Sequence, residues 1–221
     1  MCLIVWKPAG SLLSRKAMRN AFINNPHGFG IASFSPRESF YLETGLSKSF
    51  NHVWEKVEEH SHLNQLIHFR YATVGGVSEN LVHPFEIVKG TYLFHNGTIN
   101  GFEEIPEGHS DTSYFVEKVL RPEFEVNPDC FMDDEWLNAV SYGVGQSRMV
   151  ILRDDGKIAF VNYDNGCEYG NLWFSNTNYF GGKIKRADPV KDADKNFGGI
   201  FNYYRQQKQK KKAQDTQVIS L

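Results

Sequence analysis

The order of apolar and polar positions divides the chain into short segments with two different periods. An unbroken apolar run from Leu3 to Trp6 predicts a buried strand at the start. In "SLLSRKAMRNAFINN" the residues Leu12, Leu13, Ala17 and Ala21 recur near helical spacing, and Asn25-Pro26 ends the segment, so a helix is expected. "GFGIASFS" and "SFYLET" read as two strands around Pro36-Arg37. "SFNHVWEKVEEHSH" is an amphipathic helix with Phe50, Val53, Trp54 and Val57 on one side. "QLIHFRYAT" is a strand running into a loop, and "EIVKGTYLFHNGTI" holds two strands. "SDTSYFVEKVL" predicts a helix with Ser110 as N-cap, and "DDEWLNAVSYG" another. "SRMVILR" and "KIAFVNY" flank Asp155-Gly156, a strong hairpin signal. Strands slightly outnumber helices and the helices come in pairs, which suits an α+β fold better than a doubly wound parallel sheet.

Composition sets the scale of this fold. With 41% hydrophobic and 14% aromatic residues, the 221-residue chain supports a sizeable core. One domain over residues 1–182 and a tail over 183–221 are expected. The net charge of −2 hides an asymmetry, because the tail carries ten Lys or Arg against four Asp, and the body fourteen basic against twenty-two acidic residues. "RQQKQKKKAQDTQ" is polar on every side and reads as a solvated helix or disordered segment rather than a nucleic-acid arm. Cys2, Cys130 and Cys167 are an odd, widely spaced set that suggests neither disulfides nor zinc, and so a reducing compartment. No secretory signal or membrane-spanning stretch is seen, and a cytoplasmic protein without membrane contact is expected.

Several familiar chemistries find no support. His60 and His62 form an HxH pair without a third ligand, and "DADKNFG" imitates a calcium loop but has Phe197 and Tyr203 where Gly and Glu are needed. No phosphate-binding glycine motif is present, so neither metal nor cofactor is expected. Three polar clusters say more. Arg70 and Thr73 in "HFRYAT" either form surface contacts or grip a small carboxylate. Asn96-Gly97 is either a type I′ hairpin turn or an oxyanion hole, and Asp111 is either a helix-start acid or a clamp for an ammonium group. Cys2 is either a small buried hydrophobe or, once Met1 is removed, an N-terminal residue carrying both a nucleophile and a base. Together these parts describe an α-amino acid held at both head groups while its side-chain carbonyl is attacked. Glutamine fits that description.

The ordered set Met1-Cys2, "GFGIA" (28–32), "HFRYAT" (68–73), "HPF" (83–85), "HNG" (95–97) and "SDT" (110–112) resembles the glutaminase domain of class II glutamine amidotransferases, within the N-terminal-nucleophile hydrolase superfamily. The resemblance covers about the first half of the chain. It implies a four-layer αββα sandwich and hydrolysis of the glutamine side-chain amide to glutamate and ammonia through a thioester. In that reading Cys2 is the nucleophile, its α-amine the proton acceptor, and Asn96 with the Gly97 N–H the oxyanion hole. Arg70 and Thr73 bind the glutamine carboxylate, Asp111 binds the amino group, and His83 shapes the pocket. His27, Tyr71 and Leu81 depart from the family pattern, which often has an acid, a tryptophan and an asparagine there. Members that make a product fuse this domain to a synthase of several hundred residues, so any acceptor site is expected on a separate protein or not at all. An amidohydrolase acting on γ-glutamyl peptides or other amides, and a non-catalytic glutamine-binding module, use the same residues.

Overall fold

The computed structural model describes residues 2–73, 75–177 and 179. The basic tail expected over 183–221 lies outside the described residues. The fold is α+β, built on two antiparallel sheets. In the first, β1 (Leu3–Lys7) is flanked by β4 (Asn64–Phe69) and β10 (Leu172–Phe174). Beyond β4 lie β2 (Phe29–Ser35) and β3 (Glu38–Gly45), and beyond β10 lies β9 (Cys167–Tyr169). The second sheet has the order β5 (Phe85–Val88), β6 (Thr91–Asn96), β7 (Arg148–Arg153), β8 (Ile158–Val161).

Strand alternation explains the packing. Ile4 and Trp6 point to one face of β1, Leu3 and Val5 to the other. Ile4 joins Ala32, Phe34, Leu66 and Trp173 of the first sheet and Phe94, Val150 and Leu152 of the second in one apolar cluster. The opposite face of the first sheet receives α1 (Arg15–Asn24) and α2 (Phe50–Glu59). Phe50, Val53, Trp54 and Val57 are the buried residues of α2, as the amphipathic pattern predicts. Each such side chain contributes roughly 1.5–3 kcal/mol by leaving water. Ser14 and Ser49 cap the two helices by accepting N–H groups of the first turn. Lys7 is buried at the end of β1, where its Nζ donates to Ser61 O (2.6 Å) and Leu63 O (3.2 Å) in the turn after α2.

The second sheet buries Leu93, Met149, Ile151 and Val161 against α3 (Asp111–Phe115), α4 (Arg121–Val126) and α5 (Asp134–Val144). The expected helix over 110–120 begins as predicted but continues past Pro122. Residues Val116–Leu120 form a π turn in which Arg121 N–H donates to Val116 O. That wider turn relaxes the carbonyl positions that a proline ring would strike in a regular α-helix. The hairpin at Asp155-Gly156 is present between β7 and β8. The β9–β10 hairpin was not foreseen. Among the described residues no helix is long and apolar enough to cross a membrane.

Candidate active site

Cys2 directly precedes β1 and shares its alternation with Ile4, so it stands at the end of the face turned toward the second sheet. Beside it the chain leaves β4 at Phe69, and residues 70–73 form an irregular loop. The thiol donates to Tyr71 O (3.6 Å), and Tyr71 N–H donates back to Sγ (3.4 Å). Burial pushes the thiol above its ordinary pKa, opposed by the Tyr71 hydrogen bond and the nearby Arg70 guanidinium. At neutral pH the sulphur therefore rests as a thiol and needs a proton acceptor to react.

Cys2 lines an open cleft whose walls include Arg70, Thr73, His83, Gly97 and Asp111. Six of the seven residues singled out from sequence, Cys2 among them, thus line one cleft, although they span more than a hundred positions. Arg70 is buried; its Nη2 donates to Gly76 O (2.8 Å) and its Nη1 has no partner among the described residues. That excludes the exposed surface contact and leaves a buried cation at the cleft in need of an acceptor. Asp111 starts α3 behind the capping box formed by Ser110 and Ser113. Its Oδ2 accepts from Ile99 N–H (2.7 Å) and its Oδ1 from Thr112 N–H (2.9 Å) and Thr112 Oγ (3.3 Å), which fixes the carboxylate plane.

Asn96 ends β6, and the chain pairs next only at Arg148, so Asn96-Gly97 is not a hairpin turn. Gly97 packs against Ser147 so closely that a Cβ would lie 2.2 Å from Ser147 Oγ and 2.8 Å from its Cα. Only glycine admits this approach, which brings the Gly97 backbone to the cleft wall. The Asn96 side chain is fully buried and lies outside the cleft lining, with Nδ2 donating to Ser175 Oγ (2.8 Å).

Three buried histidines cluster at the cleft, His83 and His95 in its lining and His68 behind them. The His68 and His83 rings are 4.2 Å apart between centroids, and His83 and His95 6.2 Å. His68 Nε2 donates to His95 O (3.0 Å), and His95 Nδ1 pairs with Thr112 Oγ (2.7 Å). Burial depresses all three, His68 to about 3, His95 to about 4 and His83 well below its ordinary value, so all are neutral imidazoles near pH 7. The motifs containing them were visible in the sequence, but roles for His68 and His95 were not. His27 was also missed as a structural residue: its Nδ1 accepts from Ala72 N–H (2.9 Å) and its ring packs on Tyr71, which pins the loop that carries Arg70 and Thr73. Ser175 and Asn176 gave no signal at all, yet Asn176 Nδ2 donates to Cys2 O (2.6 Å). Among the described residues no group of three or more His, Cys, Asp or Glu side chains is arranged to hold a metal ion.

No protein-family model and no curated protein matches the chain. Among solved structures it is similar to the glutamine phosphoribosylpyrophosphate amidotransferase of B. subtilis complexed with ADP and GMP, at 14% identity and a TM-score of 0.48. That alignment covers 79% of this chain and 41% of the other, so the match spans about two fifths of the length of the B. subtilis enzyme.

Proposed function

We propose that the chain is a glutaminase of the class II amidotransferase type, with Cys2 as its N-terminal nucleophile after removal of Met1. The observation that carries the reading is the cleft itself. A nucleophile, a buried guanidinium whose Nη1 has no partner among the described residues, a fixed carboxylate and the Gly97 backbone line one cleft. The two sheets, with helices packed on their outer faces, support a four-layer αββα arrangement of the described residues.

In this mechanism Arg70 and Thr73 take the α-carboxylate of L-glutamine and Asp111 its ammonium, which delivers the side-chain carbonyl to Cys2. Sγ bonds to the amide carbon as the thiol proton passes to the α-amine of Cys2. A free α-amine titrates at about 7.7–8.0, close to working pH. The charge on the amide oxygen is met by Gly97 N–H and the Asn96 amide. The α-amine returns the proton to the leaving nitrogen, the C–N bond breaks, and ammonia departs. Water then adds to the γ-glutamyl thioester, releasing glutamate and restoring the thiol.

Intact-mass measurement of the N-terminus with an ammonia-release assay tests the reading. Loss of Met1 and glutamine turnover that disappears in Cys2→Ala are expected. Turnover unchanged in that variant would overturn the assignment of the nucleophile.

A further inference from the structure

Ser175, just beyond β10, touches the two structures that the proposed chemistry needs aligned. Its Oγ accepts from Ile4 N–H (2.8 Å) on β1 and from Asn96 Nδ2 (2.8 Å) at the end of β6. Its own N–H donates to Ile4 O (2.9 Å), so the residue is locked to β1 two positions from Cys2. The next residue, Asn176, holds the Cys2 carbonyl. Ser175 is fully buried, and so is Asn96.

The hydrogen bonds around this pair do not balance. Asn96 Oδ1 is buried and has no partner among the described residues, while N–H donors take both lone pairs of the Ser175 hydroxyl. A serine hydroxyl both donates and accepts, and a primary amide offers two donors on one side and an acceptor on the other. Turning the Asn96 amide over by half a turn pairs Oδ1 with the Ser175 O–H and leaves Ile4 N–H on Oγ. Oδ1 is then paired, and both Nδ2 hydrogens are left without an acceptor until a ligand oxygen supplies one.

We propose that Ser175 is a positioning residue that sets the Asn96 amide, holding Oδ1 in the competent state so that Nδ2 is presented to the oxyanion. The activity part of this inference rests on the glutaminase reading; the orientation of the amide does not. Ser175 never touches substrate and acts through Asn96 alone. Because it is bonded to β1 as well, it fixes the donor relative to the strand that carries the nucleophile.

Two measurements test this. In the glutaminase assay Ser175→Ala is expected to lower kcat by roughly 10- to 100-fold, less than the 10²–10³ typical of deleting an oxyanion donor, with KM within about twofold. In an Asn96→Ala background the same change should cost nothing further, because its route of action is gone. Ser175→Thr, which keeps the hydroxyl, should recover most of kcat. Additive losses, or a rise in KM with kcat intact, would overturn the proposal.

The second measurement needs no turnover. In isotope-labelled full-length chain, side-chain amide NMR is expected to show Asn96 Nδ2 protons without strong cross-relaxation to the Ser175 β-protons. Strong cross-relaxation would mean that the NH₂ group stays on Ser175, and the proposal fails whatever the activity. If the amide is turned over but no glutamine is hydrolysed, the glutaminase reading falls and the amide orientation stands.

Discussion

Acidification should weaken the fold through the three buried histidines at the cleft. His68, His83 and His95 are buried, and burial holds each below the value of about 6.5 expected in an unfolded chain. Between the folded and unfolded values the unfolded chain binds more protons, so stability is full above about pH 6.5 and is lost as pH falls. With all three neutral in the folded state at pH 5.5, each costs about 1.4 kcal/mol relative to alkaline solution, or about 4 kcal/mol together. That is a large part of the 5–15 kcal/mol typical of a whole domain. Asp129, Asp155 and Glu117 are held low by their Arg, Lys and His partners, so they titrate below this window. Urea unfolding at pH 7.5, 6.5 and 5.5 measures the loss directly. His68→Gln removes one titrating group and should reduce the pH-dependent loss by about a third, whatever it does to stability at pH 7.5. A wild-type loss below about 1 kcal/mol, or an unchanged slope in the variant, would refute the assignment of three neutral buried imidazoles.

Other expectations follow from single contacts. Arg70→Lys should raise the glutamine KM by roughly 10- to 100-fold with kcat less affected, because an ammonium cannot reproduce the guanidinium fork; unchanged KM would remove Arg70 from the carboxylate clamp. Thr112→Val breaks the link from His95 through the hydroxyl to Asp111 and should raise KM about tenfold, while Thr112→Ser should not; equal effects of the two would point to packing instead. Gly30→Ala would place its Cβ 1.9 Å from His83 O, so β2 and the segment at His83 must separate. Overpacking of backbone against backbone should cost about 3 kcal/mol or more in urea unfolding, and a loss under about 1 kcal/mol would contradict the contact.

Much of this architecture was legible because strand and helix periods are strong where one face is buried. Phe50, Val53, Trp54 and Val57 announced α2, and the Asp155-Gly156 turn announced β7 and β8. The failures have local causes. Pro122 reads as a helix end, and only the π turn before it shows how the helix continues to Val126. β9 and β10 are three residues each among Gly166, Gly170 and short polar stretches, too brief for a period of two to emerge. In the site, Cys2, Arg70, Asn96, Gly97 and Asp111 stood out because their chemistry is distinctive and falls in recognisable order. Ser175 and Asn176 are ordinary residues whose meaning arises only from partners 79 and 174 positions away.

The seating of β10 against β1 also governs when the site can exist during folding. β1 is central in its sheet, yet one neighbour, β10, is made near the end of the described chain, and the Cys2 carbonyl waits for Asn176 across 174 residues. Closing so long a loop is entropically slow, and contacts of this separation form late relative to local hairpins. A ribosome-bound chain that has emerged only as far as β8 can pair β1 with β4 and build the second sheet. It still lacks β10, the second neighbour of β1, and the hydroxyl beside Asn96. Under the proposed function, a partly synthesised chain would expose its thiol before Ser175 and Asn176 are in place, and the proposed site would be complete only once β10 has joined the sheet.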